Sequence, residues 1–173
     1  MKPKKNYRPG PMDSCQTPTY ALDPILPYLR VDWKWWEPCA GKGNIVHALE
    51  DNNFSVTWSD IIHGEKYDYF SYSPNEWTAS ITNPPYGLKF PWLARCYELG
   101  KPFALLVPVE ILGAKKCQEL IEANGFEMML LNRRVNFEMP SGRTDGQAQF
   151  PVFWLTWKIL PRQVMFGEIN YPK

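Results

Sequence analysis

Trp33-Lys-Trp-Trp-Glu37-Pro-Cys-Ala-Gly-Lys-Gly43 is the stretch of sequence that decides the fold of this chain. Its first four residues have the apolar character of a short buried strand, and the glycine-containing segment after them is typical of a turn. Residues 44–52 then place Ile45, Val46 and Leu49 on one face of a helix. A strand, a turn and a helix in this order indicate an α/β fold.

The alternation of strand and helix patterns continues through the rest of the chain. Further strands are predicted over 54–58, 79–82, 103–107, 126–131 and 152–160, and further helices over 90–99 and 115–124. Residues 17–29 have helical spacing, but Pro24 and Pro27 predict that this helix is short or broken. The order of elements predicts a mainly parallel sheet.

The composition is that of a folded protein with one domain. A chain of 173 residues with 45% hydrophobic and 15% aromatic residues can bury a full core. We expect residues 1–12 to form an irregular basic tail and 13–173 a single domain. The apolar runs, such as 103–107, are too short to span a membrane, and the basic start lacks the apolar stretch of a signal peptide. We therefore expect a cytoplasmic protein without a membrane partner.

The cysteines and histidines do not form a metal-binding pattern. The four cysteines are far apart and make no CxxC pair, and the chain has two histidines, His47 and His63. We expect reduced thiols and no metal. The net charge of +1 decides nothing about nucleic acid, because the distribution of charge matters more than its sum.

Polar residues fall where three predicted strands end. Glu37, Asp60 and Asn83 each close a strand, and ligands of such sheets bind beyond the carboxyl ends of the strands. The glycines of 40–43 let the main chain pass close to a ligand, although a GxG pattern alone is weak. A carboxylate at Glu37 suits a cationic sulfonium better than a pyrophosphate. Asp60 can accept ribose hydroxyls or cap a helix, and Asp68 can accept from an adenine amino group or belong to an ordinary loop.

Asn83-Pro84-Pro85-Tyr86 follows a predicted strand directly. Two consecutive prolines make the turn rigid, and their carbonyls can point outward as unpaired acceptors. Together with the Asn83 side-chain oxygen they suit an –NH₂ group, whose lone pair they would draw out of conjugation toward a methyl donor. Tyr86 offers a flat face on which a heterocycle can stack. No strong base is needed, because the proton leaves after the nitrogen has become cationic.

These motifs resemble those of the N6-adenine DNA methyltransferases that carry a (D/N)PP(Y/F) sequence, in the gamma order of motifs found in small phage-encoded enzymes. The resemblance covers most of the chain and implies a Rossmann-like class I methyltransferase fold, with a seven-stranded, mostly parallel sheet and helices on both faces. It implies S-adenosyl-L-methionine as the cofactor and DNA, with RNA possible, as the partner. The enzyme would work in a bacterial cytoplasm or in that of a phage-infected host, as a monomer or weak homodimer.

The resemblance also implies the roles of individual residues. The predicted catalytic residues are Asn83, Pro84, Pro85 and Tyr86. The predicted cofactor-binding residues are Thr17, Pro18, Glu37, Pro38, Ala40, Gly41, Gly43, Asp60, Ile61, Asp68, Tyr69 and Asn83. The predicted substrate-binding residues are Tyr86, Lys89, Arg133, Arg134, Phe137 and Arg143. The chain departs from the family in having no room for a large target-recognition domain, so 133–149 is the candidate recognition segment.

Two alternatives stay open. The acceptor could be an adenine of tRNA or rRNA, because NPPY enzymes also methylate RNA. A protein with this fold could instead bind nucleic acid or a host factor without catalysis. An acceptor in duplex DNA would have to be flipped out of the helix to reach Tyr86.

Overall fold

The computed structural model describes residues 15–138 and 150–171, which contain seven strands and three α-helices. The strands are β1 (Lys34–Glu37), β2 (Ser55–Trp58), β3 (Ala79–Thr82), β4 (Phe103–Pro108), β5 (Glu127–Leu131), β6 (Val152–Trp157) and β7 (Val164–Gly167). The helices are α1 (Asn44–Asp51), α2 (Lys89–Leu99) and α3 (Lys115–Asn124). Short 3-10 turns, including Thr19–Ala21 and Leu26–Tyr28, fill several connections.

All seven strands belong to one sheet in the order β2-β1-β3-β4-β6-β5-β7. The pairs β1–β2, β1–β3, β3–β4 and β5–β7 are parallel, whereas β6 runs antiparallel to both β4 and β5. The predicted α/β fold with a mostly parallel sheet is therefore confirmed. Because β1, β2 and β3 are mutually parallel, their carboxyl ends lie at the same edge of the sheet.

Helices cover both faces of the sheet. Successive side chains of a strand point to opposite faces, so the neighbours Trp35 and Trp36 belong to different cores. Trp35 packs in the core that contains Leu49 of α1, and Trp36 in the core that contains Leu93 of α2. Both tryptophans are fully buried.

The carboxyl-terminal part of the sheet differs from the sequence prediction. The strand predicted over 152–160 ends at Trp157, because Lys158 takes a positive φ of 59° that breaks the extended backbone. The chain then turns and forms β7, which the hydrophobic pattern did not reveal. β7 is an edge strand with two exposed residues, Val164 and Phe166, so it lacks the burial pattern that marks a strand in sequence.

The residues predicted as a short or broken helix, 17–29, form the two 3-10 turns named above. Leu22 and Ile25 are fully buried in the same core as Trp35, so this segment closes one face of the sheet. The predicted tail 1–12 lies outside the described residues, as does all of 139–149, the larger part of the predicted recognition segment 133–149. None of the described helices is both long and apolar enough to cross a membrane.

Candidate active site

A cavity of about 540 Å³ opens at the carboxyl ends of β1, β2 and β3. This volume falls within the range of roughly 300–1,000 Å³ that small-molecule and cofactor sites occupy. Eleven of the predicted site residues line it: Thr17, Pro38, Ala40, Gly41, Asp60, Ile61, Asp68, Tyr69, Asn83, Pro84 and Pro85. The structure thus brings both predicted halves of the site, cofactor and transfer, into one space.

The turn between β1 and α1 forms one wall of the cavity. Gly41 has a φ of 55° and Gly43 a φ of 89°, a region that favours glycine. The Gly43 N–H donates to the Ala40 carbonyl at 2.8 Å, and the Lys42 N–H donates to Gln16 Oε1 at 2.7 Å. A Cβ on Gly41 would lie 2.5 Å from that same Gln16 oxygen, so a larger residue would displace the Gln16 side chain from its hydrogen bond with Lys42.

Asp60 joins the glycine turn to the end of β2. Its Oδ2 accepts from the Gly41 N–H at 2.8 Å, and its Oδ1 accepts from the Ile62 N–H at 3.0 Å. The second bond caps the 3-10 turn 61–63, as expected for an aspartate before a helical turn. A carboxylate has about four lone-pair sites, so each oxygen keeps one acceptor position beyond these bonds.

Asp68, Tyr69 and Phe70 form the opposite wall. Asp68 Oδ1 accepts from the Phe70 N–H at 3.1 Å and so fixes the local turn. The Tyr69 ring stacks on Trp92 of α2 with centroids 3.8 Å apart and an angle of 10° between the planes. This wall is consequently flat, aromatic and anchored to a helix.

Glu37 is fully buried at the end of β1 and does not line the cavity, in contrast to its neighbour Pro38. Its Oε1 accepts from the Cys39 N–H at 2.8 Å. Within the described residues neither Glu37 Oε2 nor Thr82 Oγ1 has a partner of good hydrogen-bond geometry, although the two side chains are close. Burial raises the pKa of the Glu37 carboxyl to about 8, against the smaller lowering effects of Thr82 and Cys39. The glycine turn is therefore preceded by a buried carboxyl group, one oxygen of which has no hydrogen-bond partner among the described residues.

Asn83 supplies an acceptor without a partner. Its Oδ1 is buried and accepts no hydrogen bond from any described residue, which normally costs free energy. The Pro85 carbonyl, predicted from the sequence to be unpaired, instead accepts from the Leu88 N–H at 2.9 Å. The carbonyl is paired because residues 86–88 form a 3-10 turn directly after it. Pro84 lines the cavity together with Asn83, and its carbonyl stays a predicted acceptor.

Tyr86 lies next to the cavity lining, within an aromatic group. Its ring meets Phe137 edge-on at 6.3 Å and Phe150 at 5.6 Å. Phe137 is nearly buried, and its neighbour Glu138 pairs with Gln16 as an isolated β-bridge. The segment after β5 therefore reaches across to the segment that precedes β1.

The predicted basic substrate contacts have different positions. Lys89 Nζ donates to the Tyr86 carbonyl at 3.3 Å and lies 3.8 Å from a carboxylate oxygen of Glu110. Arg133 and Arg134 are exposed, and the guanidinium of Arg133 lies 5.4 Å from the centre of the Tyr171 ring. None of the three lines the cavity. Arg143 lies outside the described residues.

Three further predicted residues, Pro18, Gly43 and Phe137, also lie outside the cavity lining. Conversely, the cavity is lined by residues absent from the predicted set: Cys15, Gln16, Cys39, Lys42, Asn44, Ile45, Ile62, Phe70, Leu88 and Trp92. Most of them adjoin predicted residues in sequence and could have been included on that ground. Trp92 had no such signal, because only its stacking on Tyr69 brings it to the site. No group of three or more potential metal ligands occurs in the described parts of the chain.

Comparison with known proteins defines the fold. No family profile and no curated protein sequence matches the chain. Its structure is similar to a modification subunit assigned to a type I restriction enzyme from Vibrio vulnificus YJ016, with a TM-score of 0.53 and 12% sequence identity over 92% of this chain. That match covers 48% of the other protein, so the chain spans about half of its length.

Two other solved structures are more distant. A protein from Agrobacterium tumefaciens described as an O-methyltransferase has a TM-score of 0.46 and 15% identity, over 87% of this chain and 84% of that protein. A protein from Pyrococcus horikoshii described as an RNA methyltransferase has a TM-score of 0.43 and 12% identity, over 82% and 80%. The sheet order, the helices on both faces and the Vibrio match together confirm a Rossmann-like class I methyltransferase fold.

Proposed function

We propose that the chain transfers a methyl group from S-adenosyl-L-methionine to N6 of an adenine in DNA. One observation carries the proposal: the buried Oδ1 of Asn83, which has no hydrogen-bond partner among the described residues, lies with Pro84 at a cavity whose other walls suit this cofactor. A buried acceptor without a donor is a cost to the free protein, and a substrate that supplies the donor recovers it.

The cofactor fits the residues around the cavity. Asp60 keeps acceptor positions for ribose hydroxyls, and Asp68 lies at the aromatic wall where the adenine of the cofactor would pack. Burial raises the pKa of Glu37 to about 8 in the free protein, and a cationic sulfonium or ammonium group bound nearby would favour the ionised carboxylate. When bound, the cofactor supplies a methyl carbon on a positively charged sulfur, which keeps the C–S electron pair as the carbon bonds to the amino nitrogen and a proton leaves to water.

The residues of the NPPY turn would activate the amino group by hydrogen bonding. Asn83 Oδ1 and the Pro84 carbonyl each accept one N–H, which favours a pyramidal nitrogen with its lone pair available. The rigid Pro-Pro geometry holds both acceptors before substrate arrives, so little reorganisation is needed at the moment of transfer. Neither histidine lines this cavity, in keeping with a reaction that needs no strong base.

The aromatic group around Tyr86 would bind the target base. A base stacked on an aromatic side chain gains roughly 1–3 kcal/mol, and an adenine in duplex DNA has to be flipped out to reach it. Phe137 and Phe150 support the Tyr86 ring through edge-on contacts. Phe137, which contacts Tyr86, belongs to the segment 133–149. We assign this segment, including Arg133, Arg134 and Arg143, to recognition of the flanking sequence. DNA is preferred over RNA because the NPPY motif and the order of motifs resemble those of DNA adenine enzymes.

An acceptor profile tests the proposal. Purified protein is incubated with cofactor carrying a tritiated methyl group and, separately, with duplex DNA, tRNA, rRNA or bulk protein. We expect label in DNA, and we expect the Asn83→Ala variant to bind cofactor but transfer no label. Label in tRNA or rRNA alone would replace DNA by RNA as the substrate. Cofactor binding without transfer to any acceptor would contradict the enzymatic proposal.

A further inference from the structure

A second, smaller pocket lies on the other side of the glycine turn. Its volume is about 150 Å³, and Ala40, Gly41 and Lys42 line both this pocket and the large cavity. It is smaller than the lower limit of about 300 Å³ for sites that enclose a whole drug-sized ligand. It can therefore hold one part of a larger ligand, such as one planar base or one phosphate group.

The only two histidines of the chain line this pocket together. His47 comes from α1 and His63 from the 3-10 turn after β2, so the fold, and not local sequence, brings them together. The His47 ring lies close to Gly43, where an added Cβ would be 3.2 Å from its Cε1 atom. Both histidines are exposed, and neither contributes to the proposed transfer.

Trp58 gives the pocket a large aromatic surface open to solvent. It is the last residue of β2, and half of its surface (50%) is exposed. The His63 ring lies 5.3 Å from the Trp58 ring at an angle of 59°, so it supports the tryptophan without stacking flat on it. A tryptophan held in this way at a rim can stack a planar base.

The hydrogen-bond donors that line the pocket favour an anion. Lys42, His47 and His63 provide nitrogen donors, and no carboxylate is among the described residues that line it. The nearby Asp60 is buried and accepts from the main-chain N–H groups of Gly41 and Ile62. Nitrogen donors beside an exposed aromatic ring match the two parts of a nucleotide, its phosphate and its base.

We propose that this pocket and its rim bind one nucleotide unit, with the phosphate inside the pocket held by His47, His63 and Lys42 and the base stacked outside it on the exposed face of Trp58. In the setting of the proposed function, that unit belongs to the nucleic-acid strand that carries the target adenine. The wall shared by the two cavities is the glycine turn, so the pocket lies beside the side of the large cavity proposed for the cofactor. A free nucleotide has the same chemistry, and the experiment separates the two sources.

Binding measurements on the full chain test this inference. Affinities for a single-stranded oligonucleotide and for free dAMP are measured by calorimetry, without cofactor, for the wild type, Trp58→Ala, Trp58→Phe and the double variant His47→Ala/His63→Ala. The matched control is Phe166→Ala, which removes an exposed aromatic from β7 at the opposite edge of the sheet. Cofactor affinity is measured separately for each variant to show that the glycine turn is intact.

We expect Trp58→Ala and the double histidine variant to weaken oligonucleotide binding by about tenfold, with Trp58→Phe close to wild type because a stacking ring remains. Cofactor affinity should be unchanged in every variant, and the Phe166→Ala control should bind the oligonucleotide with wild-type affinity. Weaker binding of the oligonucleotide alone assigns the pocket to the substrate strand, and weaker binding of dAMP as well assigns it to nucleotides in general. Wild-type affinity of both ligands for Trp58→Ala would overturn the inference. Since no transfer is measured, this result is independent of whether the proposed methylation occurs.

Discussion

The main-chain N–H of Gly41 donates a hydrogen bond of 2.8 Å to Oδ2 of Asp60, and this bond ties the turn after β1 to the end of β2. The two residues are 19 positions apart in the chain and line the same cavity. Asp60 therefore supports the wall of the proposed cofactor site as well as facing the cavity. Changes at either residue should affect both the stability of the protein and its affinity for cofactor.

Replacing Asp60 should show this double role. Asp60→Ala removes the acceptor for the Gly41 and Ile62 N–H groups, so we expect the free energy of unfolding to fall by about 2–4 kcal/mol. Cofactor affinity should fall by about tenfold or more, because the ribose loses its acceptor. Urea unfolding and calorimetry measure the two effects. Asp51→Ala, an exposed change at the end of α1, is the control, and equal losses in both variants would contradict the assignment.

Gly41→Ala tests the close approach of the glycine turn to Gln16. The residue has a φ of 55°, and the added Cβ would lie 2.5 Å from Gln16 Oε1. The left-handed backbone alone should cost about 1–2 kcal/mol, and displacement of Gln16 should weaken cofactor binding further. Gly113→Ala is the matched control, since its Cβ would meet nothing within 4 Å. Thermal unfolding with and without cofactor compares the two, and an unaffected Gly41→Ala would show that the turn can rearrange.

Asn83→Ala should separate catalysis from stability. The Asn83 Oδ1 atom has no partner among the described residues, so its removal should change the free energy of unfolding by no more than about 1 kcal/mol. Transfer should fall by about a hundredfold or more, as when a preorganised hydrogen-bonding group is removed from an active site. Single-turnover transfer and urea unfolding measure both. Asn124→Ala on α3 is the control, and full activity of Asn83→Ala would disprove the acceptor role.

The buried carboxyl of Glu37 should make stability depend on pH. Its pKa is raised from 4.5 to about 8 in the folded protein, so the folded state holds this proton more tightly than the unfolded chain does. The stabilisation is complete below pH 4.5 and is lost as the pH rises to about 8, an effect on the order of a few kcal/mol. Glu37→Gln should remove this contribution to the pH dependence of the unfolding free energy between pH 5 and 8. Urea unfolding at several pH values measures that dependence. If the unfolding free energy of Glu37→Gln depended on pH as it does in the wild type, the carboxyl would already be ionised in the folded protein.

The sequence predicted the central part of the fold with close boundaries. Ala79–Thr82 and Lys115–Asn124 match the predicted elements because their hydrophobic periodicity is clear and turn residues bound them. β7 was not predicted, because it has only four residues and its apolar side chains Val164 and Phe166 are exposed and not buried. Hydrophobic periodicity shows which face of a strand is buried, but it does not show whether the strand lies at the edge of a sheet.

The candidate site was predictable where it lies on strand ends. Glu37, Asp60 and Asn83 were placed correctly at the carboxyl edge because parallel strands bring their ends together. Contacts that join distant parts of the chain could not be inferred, such as Trp92 on Tyr69 or Phe150 on Tyr86. The pairing of the Pro85 carbonyl with Leu88 depends on a 3-10 turn that the motif itself does not encode.

The chemical identity of the methylated product is the most direct test of the central claim. DNA from cells that express the wild type or Asn83→Ala is digested to nucleosides and analysed by mass spectrometry. We expect N6-methyldeoxyadenosine in wild-type DNA and its absence from the Asn83→Ala sample. Absence of N6-methyldeoxyadenosine from the wild-type DNA, with or without N6-methyladenosine in the RNA of those cells, would contradict the proposed function.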